Sequence, residues 1–372
     1  MIRKIMYLVV LSSIIVYSQG HQRIAFGPYL QNMGPKDVTI CWSTFESNSK
    51  LISPDGTVTL IPEYKQHKLE LTRLEPNTEY SYDILEDGFE EGIGKFKTYP
   101  DEITPFRFVV LGDTRSNPVV HKKIVDGVIE QDPLFVINTG DMISNGRNIN
   151  DWKKFFEVNN ELMLSVPYYA VLVNHEKDSP YYYDFFDPPG NENYYSFYVG
   201  DAVFIILDSE GRNISEPNYI SDEYEDQFWN ASFEDYFNKQ KEWLEKELQI
   251  HKEAGFVFIF QHKPLYSIKK SRVEDTNKYR EFWGDIFERN NVQVFMNGHD
   301  HHYHHAINKG VHYITTAGGG AGLYETDSPQ PETVNYSKIN HFISIDIDLE
   351  TATLNVIDLE GNEIDKIIVE KR

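Results

Sequence analysis

The feature that most constrains this chain is a rhythm that starts at residue 106. Short runs of consecutive apolar residues at 106–111, 134–138, 168–172, 203–207, 256–260 and 292–296 alternate with amphipathic stretches. Runs of this length and composition read as strands buried on both faces. The stretches between them, such as 119–130 and 233–250, repeat apolar residues at helical spacing, with Phe237, Trp243, Leu244 and Leu248 on one face of the second. Strand and helix in alternation mean an α/β layer. Five of the apolar runs lead into a short polar motif: Gly112-Asp113-Thr114-Arg115, Gly140-Asp141, Asn174-His175-Glu176, His262, and Gly298-His299-Asp300-His301. All five fall beyond the carboxyl ends of strands, the edge where open α/β sheets place their ligands. The glycine before each aspartate and before His299 is expected to let the chain turn sharply as it leaves the strand.

The donor types limit the chemistry. Cys41 is the sole cysteine, so any metal must be held by histidine, carboxylate or amide, and the chain has 13 histidines. Two aspartates, one asparagine and three histidines are what a pair of divalent or trivalent cations sharing a carboxylate would need. Thirty-five basic against 58 acidic side chains give a formal charge of −23, which argues against a surface built for nucleic acid or anionic lipid. No nucleic-acid binding is expected.

The ends and joints set the organisation. Residues 1–20 place Arg3 and Lys4 ahead of an apolar run over 5–17 and the Ser18-Gln19-Gly20 pattern behind it, which predicts a signal peptide cleaved before His21 and a secreted or periplasmic product. The run is shorter than the roughly 20 residues needed to cross a bilayer, and no second candidate follows, so no membrane span is expected. From Ile24 to about Pro100 the pattern is one of short alternating strands, with Val38, Ile40 and Trp42 on one face and Tyr80, Tyr82 and Ile84 on another. This predicts an all-β sandwich over 21–100 and an α/β domain over 101–372. The tail, 341–369, reverts to strand pairs with turns near Glu350-Thr351 and Glu360-Gly361-Asn362, which predicts a second sheet beside the first.

Two resemblances sharpen these expectations. Leu74-Glu75-Pro76-Asn77-Thr78-Glu79-Tyr80 resembles the L-x-P-x-T-x-Y corner of fibronectin type III domains, in which the tyrosine hydroxyl ties the corner to the backbone. The five polar motifs, in this order, resemble the calcineurin-like metallophosphoesterase superfamily, and with the front domain the chain resembles its purple acid phosphatase branch. That resemblance implies a fibronectin type III-like sandwich followed by a four-layer αββα metallophosphoesterase sandwich. It implies that Asp113 and His301 hold a first metal, that Asn174, His262 and His299 hold a second, and that Asp141 bridges them. The metals would be Fe, Mn, Zn or Mg. A hydroxide completing both shells would attack phosphorus in line, while the cations neutralise the phosphoryl oxygens. His175 would bind the phosphate or protonate the leaving alkoxide, with Glu176 as the partner holding its tautomer.

Two positions depart from the family pattern. The family places histidine two residues after the first aspartate or, in the purple enzymes, tyrosine three residues after the second; here Arg115 and Ser144 stand there. The first metal would have three protein ligands, and no tyrosinate would colour an iron centre. Arg115 reads either as a bidentate contact to substrate phosphate or as a salt-bridged loop residue. His121 is expected to be a solvated or capping residue rather than a replacement ligand.

Other residues invite weaker readings. His302, His304 and His305 are expected to be bystanders in a surface loop, and Asp300 a supporting loop residue. The aromatic stretch 180–198 is expected mainly to pack against the sheet, with one or two rings at the cleft. Gly318-Gly319-Gly320-Ala321-Gly322 lacks the setting of a phosphate-binding loop and predicts a close backbone approach near the metals. The acidic segment 210–235 reads as a solvated insertion, and Cys41 as a small buried hydrophobe. The function expected is secreted dinuclear hydrolysis of small phosphate monoesters, of acid-phosphatase type. A phosphodiesterase or nucleotide-cleaving hydrolase on the same site is the alternative, and an inactive extracellular glycan-binding or adhesion protein is the alternative of another class.

Overall fold

The computed structural model describes residues 9–11, 24–45, 50–52, 58–60, 64–86, 89–210 and 231–372. The expected cleavage point, and the signal segment apart from the backbone of 9–11, lie outside the described residues, as does most of the acidic segment. The chain divides into two compact units, residues 1–101 with 153–168, and residues 102–152 with 169–372.

The first unit is β-rich. Its strands are β1 (Val9–Leu11), β2 (Ile24–Gln31), β3 (Val38–Phe45), β4 (Lys50–Ile52), β5 (Val58–Leu60), β6 (Tyr64–Leu71), β7 (Glu79–Glu86) and β8 (Phe89–Lys97). They form sheets ordered β1-β7-β8 and β2-β3-β6, with β4 and β5 as a separate pair. Val38, Ile40 and Trp42 are buried as their alternation requires, and so is Cys41 on the opposite face of β3. The helical segment 153–163 belongs to this unit and sets Phe156 against Phe26 and Tyr29, with ring centroids 5.2 and 5.0 Å apart. At the corner the Tyr80 hydroxyl oxygen accepts a hydrogen bond from the Glu75 amide at 2.8 Å, the tie that the L-x-P-x-T-x-Y pattern anticipates.

The second unit holds two sheets and their covering helices. One sheet orders β11 (Tyr168–Ala170), β10 (Val136–Asn138), β9 (Phe106–Leu111), β19 (His341–Ile347), β20 (Thr351–Asp358) and β21 (Glu363–Glu370). The other orders β12 (Tyr195–Val199), β13 (Ala202–Ile206), β14 (Phe256–Phe260), β15 (Val294–Asn297), β17 (Val311–Thr316), β16 (Tyr303–Asn308) and β18 (Thr333–Ser337). Aromatic rings join the two faces: Phe108 lies edge-on to Phe204 and Phe258 at 5.0 and 5.3 Å, and Phe135 edge-on to Phe197 at 5.4 Å. Each such pair adds about 0.5–1.5 kcal/mol beyond the area it buries.

Helix α1 (Pro118–Glu130) starts at Asn117, whose side chain accepts from the Val120 amide, and its Gly127 lies under the Phe342 ring of β19. Helices α2 (Ile149–Met163) and α3 (Pro180–Phe185) precede β12. Helices α4 (Ala231–Ile250) and α5 (Val273–Arg289) bury Phe237, Leu244, Leu248, Trp283 and Phe287 against the seven-stranded sheet. The result is helix, sheet, sheet, helix. Among the described residues, no helix is long and apolar enough to cross a membrane.

Two expectations change here. The tail does not build a sheet of its own. Strand β19 pairs antiparallel with β9, Ile343 opposite Val110, and so extends the sheet of β9 to β11, while β13 to β15 found the other sheet. Buried parallel strands look alike in sequence whichever sheet receives them. Residues 303–308, expected in a surface loop, form β16, a strand interior to the seven-stranded sheet in which His304 and His305 are buried.

Candidate metal centre

The carboxyl ends of β9, β10 and β11 from one sheet, and of β14 and β15 from the other, each release one polar motif. Asp113, Asp141 and His299 themselves carry the left-handed backbone angles, with φ of 55°, 56° and 72°. Asp and His tolerate that region better than branched residues do, and the strain of about 1–3 kcal/mol per residue falls on the groups whose aim matters. Of the preceding glycines only Gly140 needs a positive φ, at 103°. Gly112 and Gly298 are required for space instead. A Cβ at 112 would meet Thr139 Oγ1 at 1.9 Å, and one at 298 would meet Asp113 Oδ2 at 2.6 Å.

The donor atoms converge. Single ligand atoms of Asp113, Asp141 and His301 lie within 4.8 Å of one another, and all three residues are buried. His301 Nε2 is 3.1 Å from Asp113 Oδ1, and His262 Nε2 is 3.5 Å from Asp141 Oδ1. His262 Nε2 also lies 3.2 Å from His299 Nδ1. The second oxygen of Asp113 accepts from the His299 amide at 2.9 Å, tying the first motif to the last. Backbone carbonyls fix the rings. His262 Nδ1 donates to Thr139 O at 2.9 Å and His301 Nδ1 donates to Gly322 O at 2.7 Å, so each Nε2 presents a lone pair.

Two buried oxygens of this cluster, Asp113 Oδ1 and Asp141 Oδ1, have no hydrogen-bond donor, and neither has the buried Asn174 Oδ1 of the third motif. Burial, with His262 and Arg272 nearby, pushes His299 well below its ordinary pKa, so its ring is neutral. Buried carboxylates and imidazoles that face one another at 3.1 and 3.5 Å are the donor set of a cation site. The residues present therefore fit a bound metal.

The supporting residues were only partly foreseen. His175 Nδ1 donates to the Ser144 carbonyl at 2.7 Å, and its Nε2 points toward Asp141 Oδ2 at 3.9 Å. Glu176, expected to hold that ring, instead accepts from the Met142 amide at 2.8 Å, and burial beside Asp141 holds its carboxyl well above the usual range. Ser144 thus contributes a carbonyl where the purple enzymes contribute a tyrosine.

Arg115 is salt-bridged: its Nε donates to Asp141 Oδ2 at 3.1 Å, and a terminal nitrogen lies 3.4 Å from His301 Nε2. Asp300 is fully buried, bonded to Ser267 and, at 2.6 Å, to Arg272, which also donates to His299 O at 2.7 Å. That pair braces the histidine loop, as a supporting role requires.

His121 is buried in the first turn of α1 rather than solvated. His302 is buried as well, and burial lowers its pKa to about 4. The glycine-rich loop makes its close approach: the amides of Gly319 and Ala321 donate to the carbonyls of Gly112 and Asp113 at 2.9 and 2.8 Å. In the aromatic stretch, Tyr182 and Tyr195 are buried and both donate to Ala170 O, so these rings pack. Tyr324, which sequence reasoning missed, stacks on His301 with centroids 4.0 Å apart.

Residues 106–303 match the family model described as calcineurin-like phosphoesterase, more than half of the chain. The chain belongs to that family. As a calcineurin-like phosphoesterase its fold implies a dinuclear divalent metal centre. Two uncharacterized proteins, from two strains of Mycobacterium tuberculosis, are each 24% identical over 286 residues, which cover 65% of this chain and 50% of the relative. The match thus spans about half the length of these relatives.

Among solved structures, the fold is similar to the purple acid phosphatase PPD1 of yellow lupin (Lupinus luteus) seeds, with a TM-score of 0.72 at 18% identity over 92% of this chain and 74% of that one. It is also similar to PhoD, with a TM-score of 0.65 at 12% identity over 95% and 90%. A third fold neighbour is GAP50, the anchor in the inner membrane complex of Plasmodium, with a TM-score of 0.56 at 16% identity over 73% and 90%.

Proposed function

We propose that this phosphoesterase is an exported, dinuclear metal-dependent hydrolase of small phosphate monoesters, of acid-phosphatase type. The observation that carries the reading is the convergence of Asp113, Asp141 and His301 within 4.8 Å, with buried oxygens that no protein donor satisfies. Asp113 and His301 would hold the first metal, and Asn174, His262 and His299 the second, with Asp141 between them. Fe, Mn, Zn or Mg would suit these nitrogen and oxygen donors. When bound, the metals supply an activated water at neutral pH and neutralise phosphoryl oxygens.

The chain's own residues do the rest. Ser144 O orients the His175 ring, leaving Nε2, 3.9 Å from Asp141 Oδ2, to hold a phosphoryl oxygen or to protonate the departing alkoxide. Arg115, anchored through Nε on Asp141, keeps terminal N–H groups for the phosphate. Export is supported by the charged, apolar and small-residue pattern of residues 1–20.

The test compares an aryl phosphate monoester with the corresponding bis-aryl diester on metal-reconstituted protein. Faster turnover of the monoester is expected. Preference for the diester would overturn the monoester reading and leave a phosphodiesterase.

A further inference from the structure

Four cations surround the candidate centre, and three of them are paired. Arg115 is engaged with Asp141, Lys263 with Glu210 at 3.2 Å, and Arg272 with Asp300 at 2.6 Å. Lys269 differs: among the described residues no carboxylate lies within ion-pair distance of it. Its ammonium sits 3.5 Å from the centroid of the Tyr324 ring, with the Arg272 guanidinium 5.1 Å from the same centroid. The His301 ring stacks on Tyr324 at 4.0 Å, and a ring and an ammonium this close cannot share a face, so Tyr324 is sandwiched between them. The ring is itself pinned, because the Tyr324 amide donates to His301 O at 2.9 Å. Tyr324 and Lys269 are both half-buried.

A lysine held over an aromatic face keeps its charge and loses little further entropy when an anion arrives. Partial burial and the Arg272 charge lower the Lys269 pKa and outweigh the opposing pull of Asp300 and Asp327, neither of which closes an ion pair with it. In a chain with a formal charge of −23, an unpaired cation fixed one ring away from a candidate metal ligand is not a generic surface lysine.

We infer that Lys269, positioned by Tyr324, selects phosphate esters whose leaving alcohol carries a second anionic group, a carboxylate or a second phosphate. This rests on the phosphoesterase reading above and names its substrate class. The phosphate being cleaved would lie at the Asp113–Asp141–His301 cluster, with the second anion toward the Lys269 ammonium. Lys269 would act mainly on binding, in KM rather than kcat.

The test uses the full chain reconstituted with Mn or Zn, and matched esters that differ only in the second charge. Glycerol 2-phosphate is set against 2-phosphoglycerate for the carboxylate arm, and glycerol 3-phosphate against glycerol 1,3-bisphosphate for the phosphate arm. The wild type is expected to favour the charged member in at least one arm, and the favoured arm tells which anion is read. Lys269→Ala should lower kcat/KM for that member ten- to a hundred-fold through KM and leave the uncharged ester within two-fold, and Lys269→Arg should restore most of the loss.

Equal effects of Lys269→Ala on both members, or no effect on either, would overturn the inference while leaving phosphoesterase activity standing. If no ester is turned over, the monoester reading fails. Calorimetric binding of the same esters to wild type and Lys269→Ala then decides the Lys269 inference by the same ratio.

Discussion

The placement of Gly298 makes a quantitative prediction about how tightly the metal ligands are packed. A methyl group there would lie 2.6 Å from Asp113 Oδ2, 2.9 Å from Thr139 Oγ1 and 3.0 Å from His262 Nδ1, where ordinary contact begins at 3.4 Å. None of the three is a free end. Asp113 Oδ2 is held by the His299 amide, His262 Nδ1 by Thr139 O, and Thr139 is buried. Relief must come from moving the carboxylate and the imidazole by several tenths of an ångström, whereas metal–ligand distances tolerate only about 0.2 Å. Overpacking of this kind costs about 1–3 kcal/mol. Gly298→Ala is therefore expected to lower stability by that amount in chelator, seen in denaturant unfolding, and to weaken Mn or Zn binding at least ten-fold in calorimetry. Gly322→Ala is the control, since a Cβ there meets nothing within 4 Å, and it should leave both readings unchanged. Wild-type metal affinity in Gly298→Ala, even with reduced stability, would refute the assignment of Asp113 and His262 as ligands.

Three further outcomes follow from the same geometry. His175→Ala should slow esters of poorly acidic alcohols by about a hundred-fold or more and aryl esters far less, because only the former need a proton on departure; equal losses would assign His175 to phosphate binding alone. Burial and His312 lower the His305 pKa from 6.5 to about 4, so the folded state keeps this ring neutral while the unfolded chain protonates it. Its contribution is complete above pH 6.5 and is lost as pH falls toward 4, about 3 kcal/mol for this one group. His305→Phe, measured by denaturant unfolding across that range, should show a shallower decline, and parallel profiles would contradict the burial argument. Tyr80→Phe removes the acceptor for the Glu75 amide and should cost about 1 kcal/mol of first-unit stability.

Much of the candidate centre was legible because ligand type is a side-chain property. Asp113, Asp141, His262, His299 and His301, which the fold brings together, follow apolar runs, and both runs and donors can be read letter by letter. The Tyr80 corner was legible for the same reason. The carbonyls that fix the rings, at Thr139, Ser144 and Gly322, were not, since every residue carries a carbonyl and only the fold decides which one faces a histidine. Glu176 misled because adjacency in sequence suggested a partner for His175, while the fold gives the ring the Ser144 carbonyl and the carboxylate the Met142 amide. His302, His304 and His305 were expected at the surface because histidine counts as polar, yet burial lowers their pKa values to about 4, 3 and 4 and leaves neutral rings that the interior can enclose. The partition of strands into two sheets was hidden because buried strands share one composition. Tyr324 carried no motif at all; only its stacking on His301 brings it to the site.

Asp141 is the residue on which the rest depends, because its carboxylate faces His262, His175 and Arg115 at once. The decisive measurement is turnover of an aryl phosphate monoester by wild type and by Asp141→Asn, each reconstituted with Mn, Zn, Fe or Mg. Metal-dependent turnover by the wild type, with a loss of at least a hundred-fold in Asp141→Asn, is the predicted result. Equal rates in the two proteins would contradict a catalytic centre built on Asp141.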